Sequence, residues 1–228
     1  MRPFWFGPFG PFGPLPPVLL LAACAASPAP APSVTSPSST PRTAGITPAN
    51  IRRVGRELPP GYEASNIARA PSPRAIWGLG NLAAANPPEC AALADPAAGR
   101  DQPAQGVSGS GPGGIVDAVV VAAPATLARE AVAACARWDL TAGRTVVSVG
   151  LIDAPKVDGA QTLGMVADIR AAVESGSEID SRAYTFVAYL GDYYAFTTLT
   201  TDPGSILPPL PPQFAADLLV KTVSTLRG

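Results

Sequence analysis

The sequence predicts an α+β domain in which helices dock on a β-sheet, and three observations carry that prediction. Residues 183–190 and 193–201 are rich in β-branched and aromatic residues and flank Gly191-Asp192. A two-residue loop with glycine leading suits a type II′ hairpin turn. Residues 115–123 and 145–152 are further β-branched runs that read as strands. Residues 213–226 repeat apolar side chains at helical spacing, with Ala215, Leu219, Val223 and Leu226 on one stripe that Phe214 and Leu218 widen. A stripe of that width has to be buried, and the sheet is the surface available.

The chain begins with a leader. Arg2 supplies a basic start, residues 15–23 a short apolar core, and Leu21-Ala22-Ala23-Cys24 a small-residue cleavage site. The apolar core is too short to span a bilayer. Leu-Ala-Ala-Cys resembles the bacterial lipobox, so residues 1–23 read as a lipoprotein signal peptide and Cys24 as the lipidated first residue of the mature chain. Several acyl chains on one cysteine hold a protein stably at a membrane. The expected location is therefore the cell membrane, lipid-anchored on its extracytoplasmic face. Residues 24–46 are Ser, Pro, Ala and Thr with almost no large apolar side chain. Such a stretch buries too little to fold and reads as a disordered, extended tether. Residues 47–228 remain as a single domain of ordinary size.

Composition excludes several classes. The chain of 228 residues has 16 basic and 17 acidic residues and no basic stripe, which argues against a nucleic-acid partner. It has no histidine. A Ser-His-Asp or Cys-His site cannot be built, and a zinc site would lack its usual nitrogen ligands. No metal or other cofactor is expected. Of the three cysteines, Cys24 goes to lipid, which leaves Cys90 and Cys135 as a pair in an exported protein. They read as a disulfide, worth about 4 kcal/mol by the chain-entropy estimate for so long a loop. The alternative, a reactive thiol pair, has neither Cys-x-x-Cys spacing nor a histidine partner.

Within the domain, Thr47-Pro48 opens a helix that stops before Pro59-Pro60 near Glu57. Residues 62–67 suit a strand, and Trp77 a core anchor. Residues 89–95 suit a short helix. Residues 96–114 read as a Gly/Pro/Ser loop. They contain a literal Gly-x-Gly-x-x-Gly at Gly109, Gly111 and Gly114, but a strand follows it where a phosphate site needs a helix. After the strand at 115–123, residues 124–138 read as a helix. Residues 161–173 fit a helix through Leu163, Val166, Ile169, Ala172 and Val173, with a partly extended reading open. In the closing hairpin the turn pairs Leu190 with Tyr193, Ala188 with Ala195 and Phe186 with Thr197. Val187, Tyr189, Tyr194 and Phe196 then share the opposite face. That face is either a second packed layer or an aromatic wall open to a ligand. These four are the candidate ligand-binding residues.

Leu58-Pro59-Pro60-Gly61-Tyr62, Trp77-Gly78, Pro88-Glu89-Cys90-Ala91-Ala92-Leu93, Cys135-Ala136-Arg137-Trp138, the Tyr189-Leu190-Gly191-Asp192 turn and the closing helix together resemble a family of mycobacterial envelope lipoproteins of unassigned function. That family looks related to the extracellular sensor domain of a mycobacterial Ser/Thr protein kinase. The resemblance implies a mostly antiparallel sheet with helices packed on it, and a cleft. This chain departs from the sensor in having cysteines for one disulfide rather than two, and no attached kinase or transmembrane helix. The shared motifs are structural, so the resemblance supplies no catalytic residue.

Three functions are in view. The first is a non-enzymatic binding module that captures a small envelope component or a protein partner. The second is a structural or secretion accessory protein without a small ligand. The third is a hydrolase built from the scattered carboxylates Asp153, Asp158, Asp168, Asp192 and Asp202, which form no recognisable dyad. Exposure of the Val187, Tyr189, Tyr194, Phe196 face separates the first from the second.

Overall fold

The computed structural model describes residues 45–98, 100, 102–173 and 176–228. The leader, Cys24 and the tether up to residue 44 lie outside the described residues. Strands run over Glu63–Ile67 (β1), Ala84–Asn86 (β2), Ala104–Gly111 (β3), Gly114–Val121 (β4), Arg137–Ala142 (β5), Thr145–Ile152 (β6), Gln161–Ala172 (β7), Glu178–Tyr189 (β8) and Tyr194–Thr201 (β9). They form one nine-stranded sheet in the order β1-β3-β4-β9-β8-β7-β6-β5-β2, antiparallel at every pairing. The helices are a 3-10 helix at Pro48–Glu57, short turns α1 (Pro73–Ile76), α2 (Ala91–Ala94) and α3 (Arg129–Ala134), and α4 (Pro212–Arg227). The architecture is α+β, as the sequence predicts.

The two faces of the sheet have separate cores. On one face Leu140, Val149, Met165, Val187 and Phe196 pack beneath Trp77 and Leu93, which come from the segments carrying α1 and α2. On the other face Phe186, Ala188, Ala195 and Leu199 pack beneath Leu218, Leu219, Val223 and Leu226 of α4 and Ile51 and Val54 of the 3-10 helix. Ile46 is half-buried against this second core. The β8–β9 hairpin has the expected register, with Ala188 opposite Ala195 and Phe186 opposite Thr197. The Leu190 amide donates to the Tyr193 carbonyl at 2.8 Å, and Gly191 takes the positive φ of +79° that the turn requires.

Cys90 and Cys135 form a disulfide, with both residues fully buried. It ties the 3-10 turn Pro88–Cys90 to the end of α3. Arg74 and Asp95, each nearly buried, form an ion pair at 2.8 Å beneath the same helical layer.

Four expectations need correction. The predicted loop over 96–114 contains β3. Its glycines are packing sites: a Cβ on Gly109 would meet the Leu58 side chain at 2.6 Å, and one on Gly111 the Tyr62 ring at 2.4 Å. Gly109, Gly111 and Gly114 therefore belong to the β3–β4 hairpin, where the turn and these side chains require them. The predicted helix over 124–138 is only α3, and Arg137–Ala142 is a strand. Trp138 and Leu140 point inward between exposed Arg137, Asp139 and Thr141, a period of two. The helical reading of 161–173 fails for the same reason. Leu163, Met165, Ala167 and Ile169 are buried at alternate positions of β7, and the extended reading holds. Lastly, Val187, Tyr189, Tyr194 and Phe196 do not form an open wall. They are at most 6 % exposed and sit in the first core. Trp77 and the helical segments cover them.

A polar ladder runs through that core. The Trp77 indole N–H donates to Thr185 Oγ1 at 3.1 Å, and Thr185 Oγ1 lies 3.0 Å from Thr198 Oγ1. Asp117 stands directly across from Thr198 and is only 5 % exposed. Burial raises its carboxyl above the ordinary value of 3.8, opposed by a hydrogen bond from Ser108. Between the unfolded and folded values, the native chain holds a proton that the unfolded chain has lost. Stability therefore falls as pH rises through that window. Asp117→Asn is expected to raise the urea midpoint at pH 7, with the advantage vanishing below about pH 4. A lower midpoint at pH 7 would show that the ionised carboxylate is wanted.

Candidate functional site

The 3-10 helix and α4 cover β3, β4, β9 and most of β8 on the second face, and leave the β5, β6, β7 half of that face open. Alternation along each strand sends polar side chains to this side. Register then sets Asn86, Asp139, Ser148, Asp168 and Arg182 in one row across five strands. Thr201 of β9 ends the row, its Oγ1 accepting the Arg182 amide at 3.1 Å. Ser148 Oγ donates to Asp139 at 2.7 Å, and Arg182 Nε to Asp168 at 2.5 Å. In the neighbouring row Arg170 Nε donates to Asp180 at 3.1 Å and lies 3.6 Å from Glu178.

Two shallow concavities of about 760 and 800 Å³ run over this surface and share Ser148, Asp168 and Arg182. Arg137, Tyr184 and the half-buried Val166 and Ile152 continue the floor toward β5. Asp168, and with it Tyr184, raises the Arg182 guanidinium above its ordinary value through hydrogen bonds. The acids here are held by arginine or serine, which suits them to fixed polar recognition. Their ion pairs are more than half exposed on the arginine side, so solvent screening leaves them little to add to stability. Among the described residues no group of three or more Cys, Asp and Glu side chains is placed to hold a metal ion.

Of the scattered carboxylates, Asp168 lines this surface. Asp153 and Asp158 lie between β6 and β7, Asp192 in the hairpin turn, and Asp202 in the turn after β9. Val187, Tyr189, Tyr194 and Phe196 lie on the other side of the sheet. Asp139, Ser148, Arg170 and Arg182 escaped the sequence reading. Their signal is the pair of alternations Asp168-x-Arg170 and Asp180-x-Arg182, which marks two solvated strand faces once both segments are known to be extended.

Residues 47–227 match a family described as a domain of unknown function (DUF5642). The fold is similar to the X-ray structure of an uncharacterized protein from Mycobacterium smegmatis, at a TM-score of 0.60 and 18 % identity over 82 % of this chain and 100 % of that one. No curated protein matches. With the family match spanning nearly the whole described domain, the chain belongs to the DUF5642 family, whose function is unassigned.

Proposed function

We propose that this protein is a lipid-anchored, extracytoplasmic binding module that presents the open polar half of its sheet to a polar envelope component or a protein partner. The observation that carries the reading is the row of polar side chains from Asn86 to Thr201 on a sheet face that α4 leaves uncovered. Fixed side chains on rigid strands make a better recognition surface than mobile ones. The lipobox at Cys24 and the tether support the location, and the Cys90–Cys135 disulfide suits an oxidising compartment. The resemblance to a kinase's extracellular sensor domain also favours binding over catalysis, by analogy of fold alone.

The Thr47 amide donates to the Leu226 carbonyl at the end of α4, and Arg227 donates to the Asp158 carbonyl just ahead of β7. Gln161, which opens β7, stands opposite Tyr189 at the far end of β8 from Glu178. Residue 47 thus enters at one end of the sheet, and Arg170, Glu178 and Asp180 mark the other.

A photoreactive residue placed at Ser148 in the envelope-resident protein is expected to capture a partner, while one at exposed Asp217 on α4 captures none. Equal capture at both, or none at Ser148, rejects the open face as the binding surface. Anchoring is tested separately. Cys24→Ala is expected to leave the protein uncleaved and unlipidated. A variant that still carries lipid, or whose mature N-terminus begins elsewhere, rejects the lipobox.

A further inference from the structure

The sheet has an edge inside it. β8 is paired with β7 along its whole length, from Glu178 to Tyr189. Its other side is paired with β9 only from Ala183 onward. The chain leaves β9 at Thr201 because Asp202-Pro203-Gly204 turns it away. The Asp202 amide donates to the Gly113 carbonyl at 3.0 Å, and Asp202 Oδ1 accepts the Gly204 amide at 2.9 Å. Thr201 Oγ1 closes the last step by accepting from the Arg182 amide and donating to the Arg182 carbonyl. Arg182 therefore directs its backbone groups to the β9 side. By the period of two, so do Asp180 and Glu178. Among the described residues nothing pairs with them there.

Beside this edge lies a notch of about 450 Å³ whose lining includes Ile115, Ile179, Ser181, Thr200, Thr201 and Pro203. Its walls are largely apolar, and Ile115 and Ile179 are 43 % and 49 % exposed. The Glu178 and Asp180 side chains rise on the opposite face, with Arg170 as their shared cation.

We propose that this notch binds an extended peptide segment of a partner protein, which adds itself antiparallel to Glu178–Asp180 and continues the place of β9. Residues directly opposite one another in such a pair share a face. A peptide residue opposite Glu178 or Asp180 meets two carboxylates and one guanidinium, so a basic side chain is favoured there. The residue between them faces Ile115 and Ile179, so an apolar side chain is favoured there. The partner is a strand-forming segment with alternating basic and apolar residues, held by main-chain bonds and selected by side chains. Charged residues also protect an unused edge from aggregation. That role predicts no bound peptide, and the test separates the two.

The main-chain pairing stands on the edge of β8, while Glu178, Asp180 and Arg170 border the same concavity as Ser148. The probe is a fluorescein-labelled, end-blocked peptide, Thr-Val-Lys-Val-Lys-Val-Thr, read by anisotropy on the folded domain at low salt. Binding is expected, together with slowed exchange of the Asp180 amide. Glu178→Lys with Asp180→Lys is expected to weaken it at least about tenfold and to reverse the preference toward the peptide with Glu in place of Lys. N-methylation of the two lysine amides is expected to abolish it, since those amides face the edge. Asn86→Trp, at the far end of the polar row and outside that concavity, should leave it unchanged, so that this site and the polar face can fail independently. No binding at millimolar peptide overturns the proposal. So does binding that survives N-methylation or is indifferent to the charge reversal.

Discussion

Replacing Tyr189 and Tyr194 together by serine is expected to remove at least about 5 kcal/mol of stability, because truncating a large buried aromatic costs about 3–5 kcal/mol. The two rings stand directly opposite each other at the turn end of the β8–β9 hairpin. Tyr194 is fully buried and stacks near Phe196 with ring centroids 6.4 Å apart, and Tyr189 is 6 % exposed. Their costs will not add cleanly, since neighbours share the cavity left behind. A domain of this size has about 5–15 kcal/mol in all, so the double variant should be largely unfolded or have a collapsed denaturant midpoint. Tyr194 also donates its hydroxyl hydrogen to the Pro71 carbonyl, which pins the segment before α1 to the sheet. Tyr194→Phe removes that bond alone and should cost about 0.5–1.5 kcal/mol, the net worth of one hydrogen bond to a half-buried acceptor. A double variant with an unchanged midpoint would mean that this face is open after all.

The second large effect is the loss of the disulfide. Cys90→Ser with Cys135→Ser frees a segment whose ends are separated by 45 residues in sequence. The chain-entropy estimate puts the loss at about 4 kcal/mol. For a domain of this length, each kcal/mol lowers Tm by roughly 2–4 °C, so the expected drop is roughly 8–16 °C. The bond anchors α2 and α3, which carry little secondary structure of their own over the first core. Leu93 and Ala94 should lose their fixed packing along with it. Thermal unfolding of the oxidised protein and the variant measures the drop. Thiol labelling of the oxidised, unfolded chain should find neither cysteine. A drop of only a degree or two would mean that the helical layer is held by its contacts alone.

Some of this molecule was written locally. The β8–β9 register follows from Gly191-Asp192, because a two-residue turn admits one pairing and a slip would exchange the faces. The α4 stripe follows from spacing within a single helix. Cys90 and Cys135 could be paired by counting once the lipobox reading sets Cys24 aside. Each of these conclusions depends on residues near one another in sequence, or on arithmetic.

Other elements depend on partners far away in the chain. Residues 161–173 match both helical and extended spacing, since Leu163 and Ile169 belong to either pattern. Pairing with β6 and β8 on both sides settles them as a strand, because each edge supplies hydrogen bonds that a lone helix would have to replace. Gly106, Gly109 and Gly111 look like loop residues until Ile67, Leu58 and Tyr62 are laid across them, at distances no Cβ would allow. The burial of Tyr189 and Tyr194 was likewise undecided, because hydrophobic residues on both faces of a hairpin state that something covers each face without saying what. The open polar face is the extreme case. Asp139, Ser148, Asp168 and Arg182 come from four strands and align only through their registers, and they stay exposed because α4 reaches β8 and stops. Spacing within the chain determined which residues share a face of each segment. Which faces meet, and which is left to solvent, was decided by long-range strand pairing and helix docking, whose energy comes from contacts that no local pattern contains.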